Sequence, residues 1–205
     1  MTKDKTEPRH VAVSLVCSPL TGRLLMVTSR AHPDLWIFPK GGIEEGESSG
    51  QAAVRESWEE AGTPPSLAAP EDLQRLMMLA LPSKKKRDSV WHVHVLEVNE
   101  DVVECIEQWP ESHERKRAWF TPSECLLNIQ EWSKIPPSST NDNHLDDPVE
   151  LVNDHAEEGD DGDERRDGEQ QKKGKQQQKM EKKAGAMELA LRQFMESRGR
   201  VLENQ

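Results

Sequence analysis

Short blocks of apolar residues, separated by turn residues, occupy the first two thirds of the chain and are sparse beyond it. Val11–Cys17 and Arg23–Thr28 flank a turn-rich segment, so they predict two neighbouring strands of a hairpin. Three more strands are predicted at Leu73–Leu81, Ser89–Val98 and Trp119–Phe120. These blocks predict one ordinary domain that contains a sheet.

A helix is predicted in the middle of this domain. Ser48 or Ser49 can cap its start, because a serine oxygen accepts a hydrogen bond from a free first-turn amide. Gly62, which is followed closely by two prolines, ends it. The segment Pro39–Gly42 before the helix is predicted to be a tight loop, since it contains a proline and two glycines.

The last third of the chain differs in composition. A helix is predicted from Pro122 to about Trp132, since proline is favoured in a first turn. Residues 136–184 are polar and lack aromatic side chains, so they cannot bury enough apolar area to offset chain entropy. A disordered insert is expected there. Apolar residues return at helical spacing, which predicts a C-terminal helix over 185–199 that packs on the domain.

The predicted organisation is therefore a flexible N-terminus at 1–8, a folded domain at 9–135, the insert and the final helix. Net charge is concentrated in the insert. From Thr140 to Gln170 there are 13 acidic residues and two basic ones, and their balance equals the formal charge of the whole chain, −11. The remaining residues balance, so a site in the folded domain can still be locally positive.

The three cysteines, Cys17, Cys105 and Cys125, lack metal-binding spacing, and reduced thiols are expected. No apolar run has the length of about 18 residues needed to cross a membrane, and the N-terminus lacks a signal-peptide pattern. The predicted location is the cytoplasm, with the nucleus as an alternative that the lysine-rich stretch leaves open. A monomer is the simplest expectation.

The middle helix carries an unusual acidic face. Glu56, Glu59 and Glu60 are spaced so that they project from one side of it, about a turn apart. Three close anions need cations, and carboxylate oxygens are hard ligands suited to Mg²⁺. A solvated acidic surface with Arg55 in an ion pair is the alternative for such a short motif.

The longer sequence pattern around these glutamates favours a metal site over a solvated acidic surface. Residues 41–63 resemble the Nudix box, G-x5-E-x7-R-E-U-x-E-E-x-G-U, in which U is a bulky apolar residue. Two U positions depart from it, because they hold Ser57 and Thr63. All seven fixed positions match: Gly41, Glu47, Arg55, Glu56, Glu59, Glu60 and Gly62.

The resemblance implies an α+β Nudix fold, in which a mixed β-sheet is sandwiched between helices (α/β/α). It implies that Glu56 and Glu60 bind Mg²⁺, with Mn²⁺ as an alternative ion, and that the main-chain carbonyl of Lys40 adds a ligand. Glu59 is then the general base or a further metal ligand. Arg55 braces the cluster, and Glu47 has an auxiliary catalytic role.

Residues 24–42 and 114–120 also resemble one branch of that family, the diphosphoinositol polyphosphate phosphohydrolases, which also cleave diadenosine polyphosphates. A crowded anionic substrate of this kind calls for lysines and arginines from several loops. Nucleic acid and membrane partners are not expected. The candidate substrate-binding residues are Arg9, His10, Ser29, Arg30, Lys40, Gly41, Gly42, Lys86, Arg87, Arg115 and Arg117.

Two other functions remain open from the sequence. One is a nucleotide-directed Nudix pyrophosphatase that acts on dinucleoside polyphosphates, capped RNA or nucleoside diphosphate sugars. The other is a non-catalytic Nudix module that senses a ligand. His92 and His94 are expected to pack or hydrogen-bond within the sheet rather than to bind metal.

Overall fold

The structure is a computed structural model, and it describes residues 7–65, 73, 75–83, 87–134 and 164–203. The strands are β1 (Arg9–Cys17), β2 (Leu24–Thr28), β3 (Trp36–Ile37), β4 (Lys40–Gly42), β5 (Arg75–Leu81), β6 (Ser89–Glu97) and β7 (Arg117–Phe120). The helices are α1 (Ser49–Ala61), α2 (Glu100–Glu104), α3 (Pro122–Glu131) and α4 (Glu164–Glu203).

Within the described residues the strands form one mixed sheet, whose main path runs β3-β2-β1-β6-β5. β1 and β6 are parallel and pair along their whole lengths, whereas β1 is antiparallel to β2 and β4. β7 pairs with β2. The central strand β1 therefore connects the two parts of the sheet.

Alternate residues of β1 point to opposite faces of the sheet and pack in two different hydrophobic clusters. Val13 and Leu15 belong to the main apolar cluster, which includes Met187 and Leu191 of α4. Ala12 lies on the opposite face, in a small cluster with two alanines of α1. Helices therefore cover both faces of the sheet, and the expected α/β/α sandwich is confirmed.

The tight loop predicted at Pro39–Gly42 is wrong in part, because Lys40–Gly42 is strand β4. It pairs antiparallel with Val11, Ala12 and Val13 of β1. Local composition predicted a turn, but hydrogen bonds to a strand about 30 residues earlier hold this segment extended.

Helix α4 is longer than predicted, since it begins at Glu164 rather than at residue 185. Met180 and Ala184 are buried against the main cluster, and the Gln177 side-chain amide donates to the Ser133 carbonyl. These contacts extend the packing of the helix into the segment that composition assigned to the insert. Residues 136–163 of the predicted insert, and residues 1–6, lie outside the described residues.

Cys17 and Cys125 are buried free thiols, and Cys105 is exposed. Across the described ranges, no helix combines the length and the apolar character needed to span a membrane.

Candidate functional site

The start and end of α1 are fixed by its own sequence. Ser48 is the N-cap: its hydroxyl accepts from the Gln51 amide, and the Gln51 side chain accepts from the Ser48 amide, which completes a capping box. Gly62 ends the helix in the left-handed conformation, with φ +68°, where a side chain would be strained. Both caps were expected from the sequence.

Arg55 lies at the centre of the acidic cluster. Its guanidinium donates to Glu47 at 3.0 and 2.9 Å, to Glu56 at 2.8 Å and to Glu59 at 3.3 Å. It also donates to the Gly42 carbonyl at 2.8 Å, which ties the helix to β4. Hydrogen bonds to Glu47 raise the pKa of Arg55 above its usual value, so this side chain stays charged.

Glu60 is held differently from its neighbours. It is buried, and its carboxylate accepts from the Lys40 amide at 2.9 Å and from the Arg115 guanidinium at 2.6 Å. Burial raises the pKa of Glu60 to about 7, although Lys40 and Arg115 oppose that effect. An added positive charge would stabilise the ionised form of this carboxylate.

Glu56 lies directly over β4. A Cβ atom at Gly41 would come within 1.9 to 2.0 Å of the Glu56 carboxyl atoms, so only glycine leaves room for this side chain. Burial raises the pKa of Glu56, while Arg55 lowers it. The glycine is therefore needed by the acidic cluster as well as by the strand.

Glu59 is the most accessible of the four carboxylates. Its side chain is 37% exposed, against 13% for Glu56 and 5% for Glu60. Its contact with Arg55, at 3.3 Å, is also longer than those of Glu47 and Glu56. Glu59 is thus the helix carboxylate with the best access to water.

The acidic cluster has the donor chemistry that a divalent ion requires. Three carboxylates share the single guanidinium of Arg55, so the group is anionic, and its oxygen donors suit a hard cation. As arranged, no three His, Cys, Asp or Glu side chains among the described residues form a ligating group. Arg55 donates to Oε1 of Glu56 and to Oε2 of Glu59, so the second oxygen of each of these carboxylates is a candidate metal donor.

A groove of about 440 Å³ lies beside the cluster, and Glu56 forms part of its wall. Arg9 and His10 of β1, together with Gly42 of β4, line the same groove. Arg87, from the segment before β6, and Glu44 also line it. Four of the predicted substrate-binding residues are therefore brought together, next to a predicted metal ligand.

Other candidates for substrate binding occupy different places. Arg115 points inward, where it donates to Glu60, Glu111 and the Thr28 carbonyl, and its side chain is only 2% exposed. Arg117 stacks on Trp109, 4.1 Å from the ring centroid, and donates to three backbone carbonyls. In place of the predicted substrate contacts, these two arginines stabilise the C-terminal end of α1 and the chain around it.

Ser29 is buried, and Arg30 forms ion pairs with Glu111 and Glu114 at the surface. Lys40 contributes its backbone amide to Glu60. Lys86 lies outside the described residues. The structure thus places some of the predicted residues at the groove and others against α1, while Ser29 and Arg30 belong to neither group.

Two histidines form a contact that the sequence pattern did not reveal. His10 Nδ1 lies 2.8 Å from His92 Nε2. His94 instead contacts the Ser49 hydroxyl at 3.0 Å, next to the start of α1. The expected hydrogen bond within the sheet is confirmed for His92, whose partner lies in β1, whereas the hydrogen-bond partners of His94 lie outside the strands. The parallel register of β1 and β6 was the missing information, since it pairs His10 with Val90 and so puts His92, two residues further along β6, on the same face of the sheet as His10.

The site therefore consists of a helix with an acidic face that packs on a mixed sheet. An arginine lies among its glutamates, and a groove lined by two further arginines lies alongside. The family model described as the NUDIX domain matches residues 8–138, and the chain belongs to the Nudix family.

Several named relatives share part of the chain. Diphosphoinositol polyphosphate phosphohydrolase 2 of Mus musculus is 36% identical over 109 residues, which cover 52% of this chain and 54% of the relative. Diphosphoinositol polyphosphate phosphohydrolase 3-beta of Homo sapiens is 35% identical over 109 residues, which cover 52% and 60%. The chain thus spans little more than half the length of these curated relatives.

Among solved structures, an Ap4A hydrolase binary complex from C. elegans is 25% identical, with a TM-score of 0.40. The match covers 57% of this chain and 83% of that chain.

Proposed function

We propose that this protein is a Mg²⁺-dependent pyrophosphohydrolase that cleaves the diphosphate group of diphosphoinositol polyphosphates and also acts on diadenosine polyphosphates. The observation that carries the proposal is the groove, whose wall places the cations Arg9 and Arg87 beside Glu56. A substrate bound by these cations would lie against the acidic cluster. The names of the curated relatives support the choice of substrate class.

The groove suits a compact, densely charged ligand. Arg9 and Arg87 come from separate segments, so they can contact different phosphates of one molecule. Among the described residues, the lining contains no tryptophan or phenylalanine on which a nucleobase would stack. This lining favours an inositol diphosphate over a nucleotide.

Glu56 and Glu60 are the residues that would hold Mg²⁺, with the Lys40 carbonyl as a further ligand. When bound, the ion would neutralise charge on the diphosphate and lower the pKa of water. Glu59 accepts the proton of the attacking water, because it is the most accessible carboxylate of the helix. Arg55 keeps Glu47 and Glu56 in place around it.

A substrate panel tests this proposal against the alternatives. With Mg²⁺ present, the purified chain is given diphosphoinositol pentakisphosphate, diadenosine hexaphosphate and capped RNA, and products are separated by chromatography. We expect the highest kcat/KM on the diphosphoinositol substrate. Turnover of capped RNA alone would contradict the substrate class, and binding without any turnover would support a ligand sensor.

A further inference from the structure

The contact between His10 and His92 joins the groove to the protein interior. His10 is exposed and lines the groove. His92 belongs to the adjacent strand β6 and is buried, with 8% exposure. The two rings are 5.1 Å apart and tilted by 46°, and the 2.8 Å separation of their nitrogens is that of a hydrogen bond.

One of the two nitrogens must donate the shared proton and the other must accept it. The remaining nitrogen of His92, Nδ1, is buried and has no hydrogen-bond partner among the described residues. A buried N–H without a partner is rarer in proteins, and less favourable, than an under-satisfied acceptor. His92 therefore carries its proton on Nε2 and donates it to His10 Nδ1.

This assignment fixes the state of His10. Its Nδ1 accepts, so the proton of the neutral ring is on Nε2, the nitrogen on the side away from His92. Burial lowers the pKa of His92, and the nearby charge of Arg75 adds to that effect, which keeps the ring neutral. A neutral His92 has a single ring proton to donate, which agrees with the geometry.

We propose that His92 is a positioning residue that holds His10 as the Nε2–H tautomer, so that His10 donates a hydrogen bond to a phosphate oxygen of a ligand in the groove. The role for a phosphate ligand rests on the proposed function. The tautomer itself does not depend on it. Arg9 and Arg87 supply charge in the same groove, while His10 supplies a directed donor.

The tautomer is measured directly by two-dimensional ¹H–¹⁵N NMR of the imidazole nitrogens in the uniformly labelled full chain. In the unaltered protein we expect a protonated Nε2 and an unprotonated Nδ1 for His10. His92→Phe keeps a ring but removes the donor, so a mixture of tautomers is expected. His92→Gln retains a side-chain N–H, and it should restore the Nε2–H form.

His94→Phe is the matched control, because His94 is also a buried histidine of β6 and hydrogen-bonds to Leu73 and Ser49 instead of His10. It should leave the His10 tautomer unchanged. Protonated Nδ1 on His10 in the unaltered chain would overturn the proposal. The proposal would fail equally if His92→Phe left the nitrogen signals of His10 unmoved.

Ligand binding tests the second half of the proposal. Inositol hexakisphosphate is the probe, because it carries no diphosphate to cleave, and its affinity is measured by calorimetry. Loss of one hydrogen bond to a charged group should weaken binding at least tenfold in His92→Phe. The His10→Ala variant should be equally weak, and adding His92→Phe to it should change nothing more.

Equal affinities in the unaltered chain and His92→Phe would overturn the role of His10 as a phosphate donor. Failure of the proposed hydrolysis would be seen separately, as an absence of turnover in a chain that still shows the tautomer and still binds the probe.

Discussion

At the residue scale, the acidic cluster depends on the guanidinium of Arg55 and on a glycine, Gly41, that leaves space for a carboxyl group. Arg55 contacts Glu47, Glu56 and Glu59 together, which separates three carboxylates that would otherwise repel one another. Gly41 leaves the space that the Glu56 carboxyl fills. The fixed residues of the Nudix pattern therefore contact one another, and Arg55 and Gly41 position the carboxylates of the acidic cluster.

The Gly41→Ala variant tests this close approach. The new methyl group would push the Glu56 carboxyl, the end of a flexible side chain, out of its place beside Arg55, so kcat should fall at least tenfold with little loss of stability. Gly42→Ala is the matched comparison, because its methyl group would meet only Arg9, at 3.7 Å. Steady-state kinetics check both variants. Equal kcat losses would contradict the steric account.

The two departures from the Nudix pattern have opposite consequences for stability. The Ser57 hydroxyl donates to the Ala53 carbonyl at 2.6 Å, whereas the buried Thr63 hydroxyl has no partner among the described residues. Thr63→Val should therefore raise the free energy of unfolding by about 1 kcal/mol, and Ser57→Ala should lower it by about 1 kcal/mol. Denaturant titration measures both. Destabilisation by Thr63→Val would show that its hydroxyl is satisfied.

At the element scale, α1 is held by contacts at both of its ends and along the face that packs on β1. Its start is near His94, and its middle contacts β1, where the Ser14 hydroxyl donates to the Ala53 carbonyl. Near its C-terminal end, Arg115 and Arg117 reach Glu60 and the Ala61 carbonyl. These contacts fix the direction in which the glutamates of the helix point.

Replacement of Arg115 distinguishes a structural role from substrate binding. Arg115→Met would leave Glu60 buried with a poorly compensated charge, so the free energy of unfolding should fall by about 3–5 kcal/mol. Arg30→Met removes a more exposed ion pair to the same Glu111 and should cost about 1 kcal/mol or less. Unaltered stability with a raised KM would instead restore the substrate role predicted from the sequence.

The sequence predicted α1 well, because its caps and its glutamate spacing are local features. Ser48 and Gly62 act within a turn of the helix ends, so no distant residue is needed to identify them. Lys40–Gly42 was misassigned because its strand partner is remote in sequence. Arg115 and Arg117 seemed available to a ligand, since a basic run shows charge but not the buried carboxylate or carbonyls it faces.

At the scale of the whole molecule, α4 completes the main core. Met187, Leu191 and Phe194 are buried in the same cluster as β1 and β2. The helix contacts α3 and β5, on the face of the sheet away from α1. Helix α4 thus supports the strands that carry the groove, and none of its described residues lines the groove.

Two leucines of α4 provide a paired test of this packing. Leu191→Ala removes a fully buried side chain and should lower the free energy of unfolding by about 2–5 kcal/mol. Leu189→Ala, at a position that is 47% exposed, should change it by about 0.5 kcal/mol or less. Denaturant unfolding of both variants gives the comparison. Equal stabilities would mean that α4 does not pack on the domain.

The central claim is that the carboxylates organised by Arg55 catalyse hydrolysis of an anionic diphosphate with Mg²⁺. The most direct measurement is phosphate release from diphosphoinositol pentakisphosphate by the unaltered chain and by Glu59→Gln, with Mg²⁺ or with a chelator. We expect release to require Mg²⁺ and to fall at least about 100-fold in Glu59→Gln at unchanged stability, the loss typical of a missing general base. Release that persists in the chelator, or that is equally fast in Glu59→Gln, would contradict the claim.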